Sequence, residues 1–199
     1  PKTGYLAGMK NILVLLTLVF FSCREKYANP HVMIETEKGD IEVEVYPGKA
    51  PATATRFLSY VDSGYYANSS FYRVLKADEL PNPNNTGLIQ GGIWESNPQL
   101  KVKLPGITHE STRQSGLTHQ TGTISMARLE PGTASSEFFI CIGDQSMLDA
   151  DRKGTEDGLG FAAFGKVVKG MPIVRKIQEE RSHGDKFDNS IRIKTIRRL

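Results

Sequence analysis

The chain is 199 residues long, with 39% hydrophobic and 24% charged residues, which fits one globular domain or at most a small pair. A disordered, collagen-like or disulfide-framed chain is excluded. The 25 basic and 22 acidic residues leave a net charge of +3, so no strong field favours a nucleic-acid or acidic partner. The two cysteines, Cys23 and Cys141, form no CxxC or Cys/His cluster, which excludes zinc and thioredoxin-like sites.

The first predicted element is a leader. Met9 and Lys10 precede an apolar run over residues 12–21 that contains a single threonine, and Ser22 and Cys23 follow it. A cationic start, a short apolar core and a small residue before the cut are typical of a signal peptide. Ten helical residues rise only about 15 Å, half of a bilayer's hydrocarbon core, so no spanning helix is expected. A buried core helix is the alternative, but the run has no amphipathic period.

The end of this leader resembles a bacterial lipobox, in which the cysteine is diacylated and becomes the first residue of the mature protein. Residues 19–23 read Val-Phe-Phe-Ser-Cys, with a phenylalanine where a small residue is usual. We expect Met9 to be the true start, residues 1–23 to be the signal peptide with Cys23 as the lipid attachment site, and residues 24–30 to be a short tether. The mature chain then has 23 basic and 22 acidic residues, a net charge of +1. It is expected on the cell envelope, anchored to a bacterial membrane and facing the periplasm or the surface.

From residue 31 onward the pattern predicts many short strands and few helices. Residues 32–36 and 41–46 are rich in β-branched side chains and flank a Lys-Gly-Asp turn, which predicts a hairpin. Apolar side chains at helical spacing, with Pro51 in the first turn and Gly64 after the last, predict a helix over residues 50–63. Six further strands and one further helix are predicted: Phe71–Leu75, Leu88–Ile93, Thr123–Ala127, Phe138–Ile142, Ala163–Val168, Ile191–Ile196 and the helix Met171–Glu179.

Eight strands and two helices within residues 31–199 indicate a mainly β domain. Short strands expose unpaired edges unless the sheet closes, so a closed antiparallel barrel or a compact sandwich is expected. Residues 76–87 and 149–160 are rich in turn-forming residues and are predicted surface loops. Cys141 lies in an apolar run and is expected to be a small buried residue.

Most catalytic constellations are missing. The histidines His31, His109, His119 and His183 are scattered without an HExxH motif, so they are expected at the surface and metal catalysis is not expected. GxSxG and P-loop motifs are missing as well. Residues 149–160 match a calcium loop at its first, third and sixth positions but lack the final glutamate, so calcium is not expected.

One arginine stands in an unusual place. Two-residue periodicity puts Arg73 on the same strand face as Phe71 and Leu75, although a snorkelling side chain is the alternative. Other strand faces group polar and apolar side chains nearby: Leu88, Gln90 and Gly92 on one, Glu137, Phe139 and Cys141 on another. A guanidinium, an amide and an aromatic ring converging without a nucleophile or a metal can polarise a substrate but cannot cleave it.

Several blocks in this order resemble the cyclophilin family of peptidyl-prolyl cis/trans isomerases, over essentially all of residues 31–199. The blocks are Lys49-Ala50-Pro51 with Phe57, Phe71-Tyr72-Arg73-Val74, Ile89-Gln90-Gly91-Gly92, Gly122 to Arg128, Phe138-Phe139-Ile140 and Phe164-Gly165-Lys166-Val167. The resemblance implies a closed eight-stranded antiparallel barrel capped by two α-helices. It also implies an enzyme that rotates X-Pro peptide bonds without a cofactor or metal.

The resemblance also implies roles for single residues. Arg73 matches the catalytic arginine, which donates to the prolyl nitrogen as its lone pair localises, and Gln90 matches the glutamine that orients it. Leu88, Phe139 and Leu148 match walls of the proline pocket. The remaining expected substrate-binding positions are Ala127 and Arg128 on the strand that pairs with substrate backbone, together with Gly92, Glu137, Met147 and Phe161.

The sequence departs from the family pattern at five positions in or next to this site. Gly87 stands where an aromatic is usual, which would open the proline pocket or let residues 76–85 fill it. Glu137 stands where a glutamine is usual, and a carboxylate near Arg73 is expected to pair with it and weaken its pull. Met147, Phe161 and Tyr72 replace a tryptophan and two histidines. A reduced or substrate-restricted isomerase is therefore expected.

Two functions remain open from the sequence. The first is a monomeric, envelope-anchored isomerase that acts on Pro-containing segments of exported proteins and binds no nucleic acid. The alternative is a module that grips such segments without turnover, as a chaperone or assembly factor. On the second hypothesis Glu137→Gln would sharply raise turnover.

Overall fold

The computed structural model describes residue 1, residues 27–78 and residues 84–199. Residues 2–23 of the predicted leader, with the lipobox cysteine, residues 24–26 of the tether and residues 79–83 of the 76–87 loop lie outside the described residues. Nine strands are described: β1 (His31–Thr36), β2 (Gly39–Val45), β3 (Ser69–Lys76), β4 (Gly87–Gly92), β5 (Thr123–Met126), β6 (Phe138–Ile142), β7 (Ala162–Lys169), β8 (Ser182–His183) and β9 (Lys186–Arg198). The helices are α1 (Pro51–Asp62), α2 (Pro98–Lys103), α3 (Thr112–Ser115) and α4 (Met171–Gln178), with a 3₁₀ turn at Ser146–Leu148. Within the described part, no helix has the length and apolarity that crossing a membrane requires.

Eight of the strands close into an antiparallel barrel. Their order is β1-β2-β7-β5-β6-β4-β3-β9, and β9 pairs back onto β1, with Ile34 opposite Ile196. Every pairing is antiparallel. The two-residue strand β8 adds only to the start of β9, opposite Phe187 and Lys186. The predicted closed barrel is confirmed, and closure leaves few sheet edges unpaired.

All eight predicted strands and both predicted helices are present, but helices α2 and α3, strand β8 and the 3₁₀ turn were not predicted. Helix α2 buries none of its side chains, so it carries no apolar stripe that periodicity could detect. Its signal was the Asn97-Pro98 pair, in which the Asn97 side chain accepts from the Leu100 N–H and proline occupies the first turn. Helix α3 and strand β8 span only four and two residues, too few for a period.

The barrel interior is filled by apolar side chains. The predicted buried face of α1 caps one end, where the Phe57 ring lies 4.9 Å from Phe164, 5.5 Å from Tyr66 and 5.8 Å from Phe138, measured between centroids. The Tyr66 hydroxyl donates to the Ser136 carbonyl at 3.0 Å, which satisfies the one polar atom of that buried ring. A packed interior of this kind leaves substrate only the outer surface of the barrel.

A second, smaller apolar cluster lies on the outer face of the same strands. On β4 the side chain of Ile89 points into the core while that of Leu88 joins the outer cluster, as strand alternation requires. Phe139 and Cys141 extend this cluster along β6. Cys141 is fully buried, as predicted, and burial raises the pKa of its thiol well above the usual range, so it is an inert core residue.

Candidate active site

A bulge in β3 places the candidate catalytic arginine. Phe71 pairs with Gly91 and Arg73 pairs with Gln90, so Tyr72 and Arg73 together stand opposite the single residue Gln90. The extra residue shifts the alternation by one. Phe71 is therefore in the core, and the prediction that Arg73 shares its face is wrong: Arg73 and Tyr72 both line the outer groove.

Two hydrogen bonds hold the Arg73 guanidinium. Its Nη1 donates to Gln90 Oε1 at 3.1 Å, and its Nε donates to Asp185 Oδ2 at 2.7 Å. Asp185 lies in the turn between β8 and β9, and the bond from Arg73 lowers the pKa of its carboxyl. These partners orient the arginine, while nearly four-tenths of its side-chain surface is open to solvent. Asp185 was not predicted as a site residue, because the residues around it do not indicate that their turn lies next to β3.

Glu137 does not pair with Arg73, so that expectation is wrong. Its Oε2 accepts from the Tyr72 hydroxyl at 2.7 Å, and its Oε1 accepts from the Ile93 N–H and the Ser136 hydroxyl, both at 3.0 Å. Burial raises the pKa of the Glu137 carboxyl, and these three donors oppose the rise. The Glu137 carboxylate is consequently part of the scaffold beneath the groove.

The groove itself is an apolar slot with a volume of about 520 Å³. Phe139 forms its floor, with the Phe161 ring edge-on at 5.3 Å and an interplanar angle of 88°. The cavity brings together most of the predicted site: Arg73, Leu88, Gln90, Ala127, Arg128, Glu137, Phe139, Leu148 and Phe161 all line it. Leu75, Trp94 and Lys101 line it as well and were not predicted.

Two predicted substrate-binding residues lie apart from this slot. Met147 is 53% exposed on the 3₁₀ turn and is not among the described residues that line the cavity. Gly92 packs behind the slot, where an added Cβ would lie 2.5 Å from the Glu137 carboxyl carbon. Gly92 therefore makes room for that carboxylate, at a φ of +150° that other residues seldom adopt.

Gly87 also has a conformational reason to be glycine. Its φ is +138°, and an added Cβ would lie 2.0 Å from the Leu75 carbonyl oxygen across the β3–β4 pair. Among the described residues of the 76–87 loop, none lines the cavity. On the described side of the slot, Leu75 and Leu88 supply the wall next to this glycine.

The Arg128 side chain bonds two residues of the 149–160 loop. Its Nη atoms donate to both carboxylate oxygens of Asp157, at 2.7 and 2.9 Å, and its Nε donates to the Gly160 carbonyl at 3.0 Å. This bidentate pair lowers the pKa of Asp157 far below its usual range. The guanidinium also lies 5.4 Å from the Phe161 ring centroid. Arg128 thus fastens the 149–160 loop, of which Gly154 lines the slot, and this role of Arg128 was not predicted.

A buried histidine supports the floor from below. His119 is fully buried, so its predicted surface location is wrong, and its ring stacks on Phe139 at 5.8 Å. One ring nitrogen, Nδ1, lies 2.7 Å from Asp149 Oδ1, and Nε2 lies 3.0 Å from the Ser125 hydroxyl. Burial lowers the pKa of His119 although Asp149 opposes this, so the neutral ring donates from Nδ1 and accepts from Ser125.

The polar groups next to the floor of the slot are buried or bonded to one another. Ser125 lies opposite Phe139 on the neighbouring strand and is fully buried against His119, so its hydroxyl has no access to a substrate. Asp149, the first position of the incomplete calcium loop, is bonded to His119. Across residues 27–78 and 84–199, no group of three His, Cys, Asp or Glu side chains could hold a metal ion.

Comparison with known proteins gives one consistent family. The family model described as cyclophilin type peptidyl-prolyl cis-trans isomerase/CLD matches residues 31–198. A peptidyl-prolyl cis-trans isomerase of Acinetobacter baylyi is 38% identical over 170 residues, covering 85% of this chain and 82% of the relative. Peptidyl-prolyl cis-trans isomerase A of Dickeya dadantii is 36% identical, covering 84% and 82% of the two chains. Peptidyl-prolyl cis-trans isomerase B of Escherichia coli is 34% identical, covering 74% and 83%.

Solved structures agree with the fold. The crystal structure of a Cryptosporidium parvum cyclophilin type peptidyl-prolyl cis-trans isomerase has a TM-score of 0.66 over 85% of this chain and 97% of that chain, at 24% identity. The crystal structure of the same protein in the presence of the dipeptide Ala-Pro has a TM-score of 0.63 over 83% and 96%, at 25% identity.

Proposed function

The chain belongs to the cyclophilin-type peptidyl-prolyl cis-trans isomerases, and from that premise we propose how its own residues carry the reaction and where it acts. It is an isomerase of X-Pro peptide bonds. The proposed catalytic residue is Arg73, and the proposed substrates are Pro-containing segments of exported polypeptides. The observation that carries the assignment is a guanidinium, held by Gln90 and Asp185, on the wall of an apolar slot floored by Phe139.

The apolar slot and the Arg73 guanidinium supply what rotation about an X-Pro bond requires. Rotation about an X-Pro bond meets a barrier of about 18–20 kcal/mol because the amide loses its conjugation. No bond breaks, so the site needs only to hold the proline and stabilise the twisted amide. In the twisted state the lone pair localises on the prolyl nitrogen, and a charged N–H donor from Arg73 stabilises it there. Because Gln90 and Asp185 already orient the guanidinium, little reorganisation is required when the amide twists.

The test of this function is the exchange rate of a short peptide that contains one X-Pro bond. We expect residues 27–199 at micromolar concentration to accelerate cis–trans exchange, visible as broadening and merging of the cis and trans NMR lines at large peptide excess. The same peptide with alanine in place of proline gives no exchange signal and serves as the control. Exchange no faster than that of the free peptide would contradict the proposal.

The location of the enzyme is a separate proposal. We infer that Cys23 is lipidated and tethers the domain to a bacterial membrane, so that the isomerase meets polypeptides as they leave the export machinery. A cationic start, a short apolar run and a serine-cysteine end support this assignment. Residues 24–30 would then connect the anchor to β1, which begins at His31.

Lipidation is tested by metabolic labelling with a fatty-acid analogue in a bacterial host that expresses the chain from Met9. We expect the wild type and Cys141→Ala to incorporate label and to sediment with membranes, whereas Cys23→Ala does neither. The Cys141 variant is the matched control, because it removes the chain's other thiol. Equal labelling of the Cys23 variant and the wild type would contradict the anchor.

A further inference from the structure

A directed chain of hydrogen bonds leads from a buried carboxylate to the catalytic arginine. Arg73 Nη1 donates to Gln90 Oε1 at 3.1 Å, Gln90 Nε2 donates to the Tyr72 hydroxyl at 3.1 Å, and that hydroxyl donates to Glu137 Oε2 at 2.7 Å. Each group in this chain donates towards Glu137. Both bulged residues of β3 thus bond the one residue opposite them.

The far end of the chain is fixed to backbone. Glu137 is buried, with 7% of its surface exposed, and its Oε1 accepts from the Ile93 N–H at the end of β4. The Ser136 hydroxyl donates to the same oxygen, and Gly92 lies against the carboxyl group. The Ile93 N–H and the contact with Gly92 leave the carboxylate little freedom to turn, so it presents Oε2 to Tyr72 in one direction, and the Ser136 bond adds only to its stability.

This polarity decides which way the Gln90 side chain points. An ionised carboxylate only accepts, so the Tyr72 hydroxyl must use its proton on Glu137 and offer its lone pairs to Gln90. The Gln90 amide nitrogen then faces Tyr72, and its oxygen faces Arg73. With the amide reversed, an NH₂ group would oppose the guanidinium, and both groups are donors.

We propose that Tyr72 and Glu137 are positioning residues, which fix the carboxamide of Gln90 with its oxygen towards Arg73 and thereby hold the guanidinium in its productive orientation. The proposal rests on the proposed catalytic role of Arg73. It reverses the expectation for Glu137→Gln. A glutamine at 137 must turn its oxygen to the Ile93 N–H, so its NH₂ group faces Tyr72, the polarity of the hydrogen-bond chain reverses, and turnover falls.

The kinetic test is a double-variant cycle on the X-Pro peptide. We expect Tyr72→Phe to lower kcat five- to twentyfold with KM changed less than twofold, because the variant disturbs the arginine and leaves the apolar slot intact. Glu137→Gln should lower kcat threefold or more. The kcat of the double variant should be no more than twofold below that of Tyr72→Phe, because the loss of one hydrogen bond already disconnects Glu137 from Arg73.

The matched control is Ser136→Ala, which removes another donor to the Glu137 carboxylate without touching Gln90 or Tyr72. We expect its kcat to stay within twofold of wild type, even if its stability falls. An equal loss of kcat in Ser136→Ala and Glu137→Gln would mean that Glu137 acts only through the scaffold, and would overturn the proposal.

A spectroscopic readout separates this proposal from the catalytic role of Arg73. The Gln90 side-chain NH₂ pair, assigned by its loss in Gln90→Leu, should shift and broaden in Tyr72→Phe and in Glu137→Gln but not in Ser136→Ala. An unchanged NH₂ pair in folded Tyr72→Phe, or a higher kcat in Glu137→Gln, would overturn the positioning role. If Arg73→Ala kept full activity, the catalytic assignment would fail while the NH₂ shifts would still show whether the carboxamide is positioned.

Discussion

Replacing Arg73 by alanine is expected to lower kcat/KM on an X-Pro peptide about 100-fold, since removal of one preorganised donor to developing charge costs about 3 kcal/mol and each 1.4 kcal/mol is tenfold. The loss should fall mainly on kcat, because the apolar slot around Phe139 remains to bind the proline ring. The rate constants are measured by NMR exchange at several peptide concentrations, which separates kcat from KM.

Two further variants make the Arg73 result specific. Arg73→Lys keeps the charge but cannot donate to Gln90 and Asp185 with one planar fork, so its loss should lie between those of wild type and alanine. Arg197→Ala is the matched control, because it removes an exposed arginine whose 2.7 Å pair with Glu35 lies on the β1–β9 side of the barrel. An Arg73→Ala enzyme as fast as Arg197→Ala would exclude Arg73 from catalysis.

The strands were predictable from the sequence because they obey simple alternation, whereas their closure into a barrel was implied by the family resemblance. On β6, for example, Phe138 and Ile140 fill the core while Phe139 and Cys141 build the outer cluster, which is a strict period of two. The cluster of slot residues followed from the family blocks. Both signals are local, so neither needed knowledge of how distant segments meet.

The features that could not be predicted from the sequence depend on how distant segments of the chain meet. A bulge needs two strands in register before it exists, and so alternation alone gave Arg73 the wrong face. Asp185 reaches Arg73 across 112 residues of sequence, and His119 reaches Asp149 across 30. The residue pattern of one segment does not indicate such distant partners. For this reason Glu137 was expected to pair with Arg73, whereas it accepts from Tyr72.

The corrected position of Glu137 changes the choice between the two functions. The binding-module hypothesis drew on a carboxylate that neutralises the arginine. In the structure that carboxylate bonds Tyr72, Ser136 and the Ile93 N–H, and Arg73 pairs instead with the half-exposed Asp185. Arg73 donates to Asp185 through Nε and to Gln90 through Nη1, and none of the described residues bonds its Nη2, so the arginine keeps a donor for a substrate while these partners orient it.

The floor of the slot carries the second large effect. Phe139 is 2% exposed, lies edge-on to Phe161 and stacks on the buried His119. Phe139→Ala should lower the free energy of unfolding by about 3–5 kcal/mol, the usual cost of such a truncation. It should also raise KM about tenfold or more, because a loss of about 1.4 kcal/mol of apolar contact with the proline ring already weakens binding tenfold. Urea unfolding measures the first effect, and peptide exchange well below the melting temperature measures the second.

Phe139→Leu separates the two consequences of that change. Leucine fills much of the volume beneath the slot but lacks the flat face that His119 stacks on and that a proline ring can lie against. Its unfolding free energy should fall by less than half as much as that of the alanine variant, while its KM stays several-fold above wild type. A leucine variant with wild-type KM would show that apolar volume alone holds the proline, and an alanine variant with wild-type KM would remove Phe139 from the substrate site altogether.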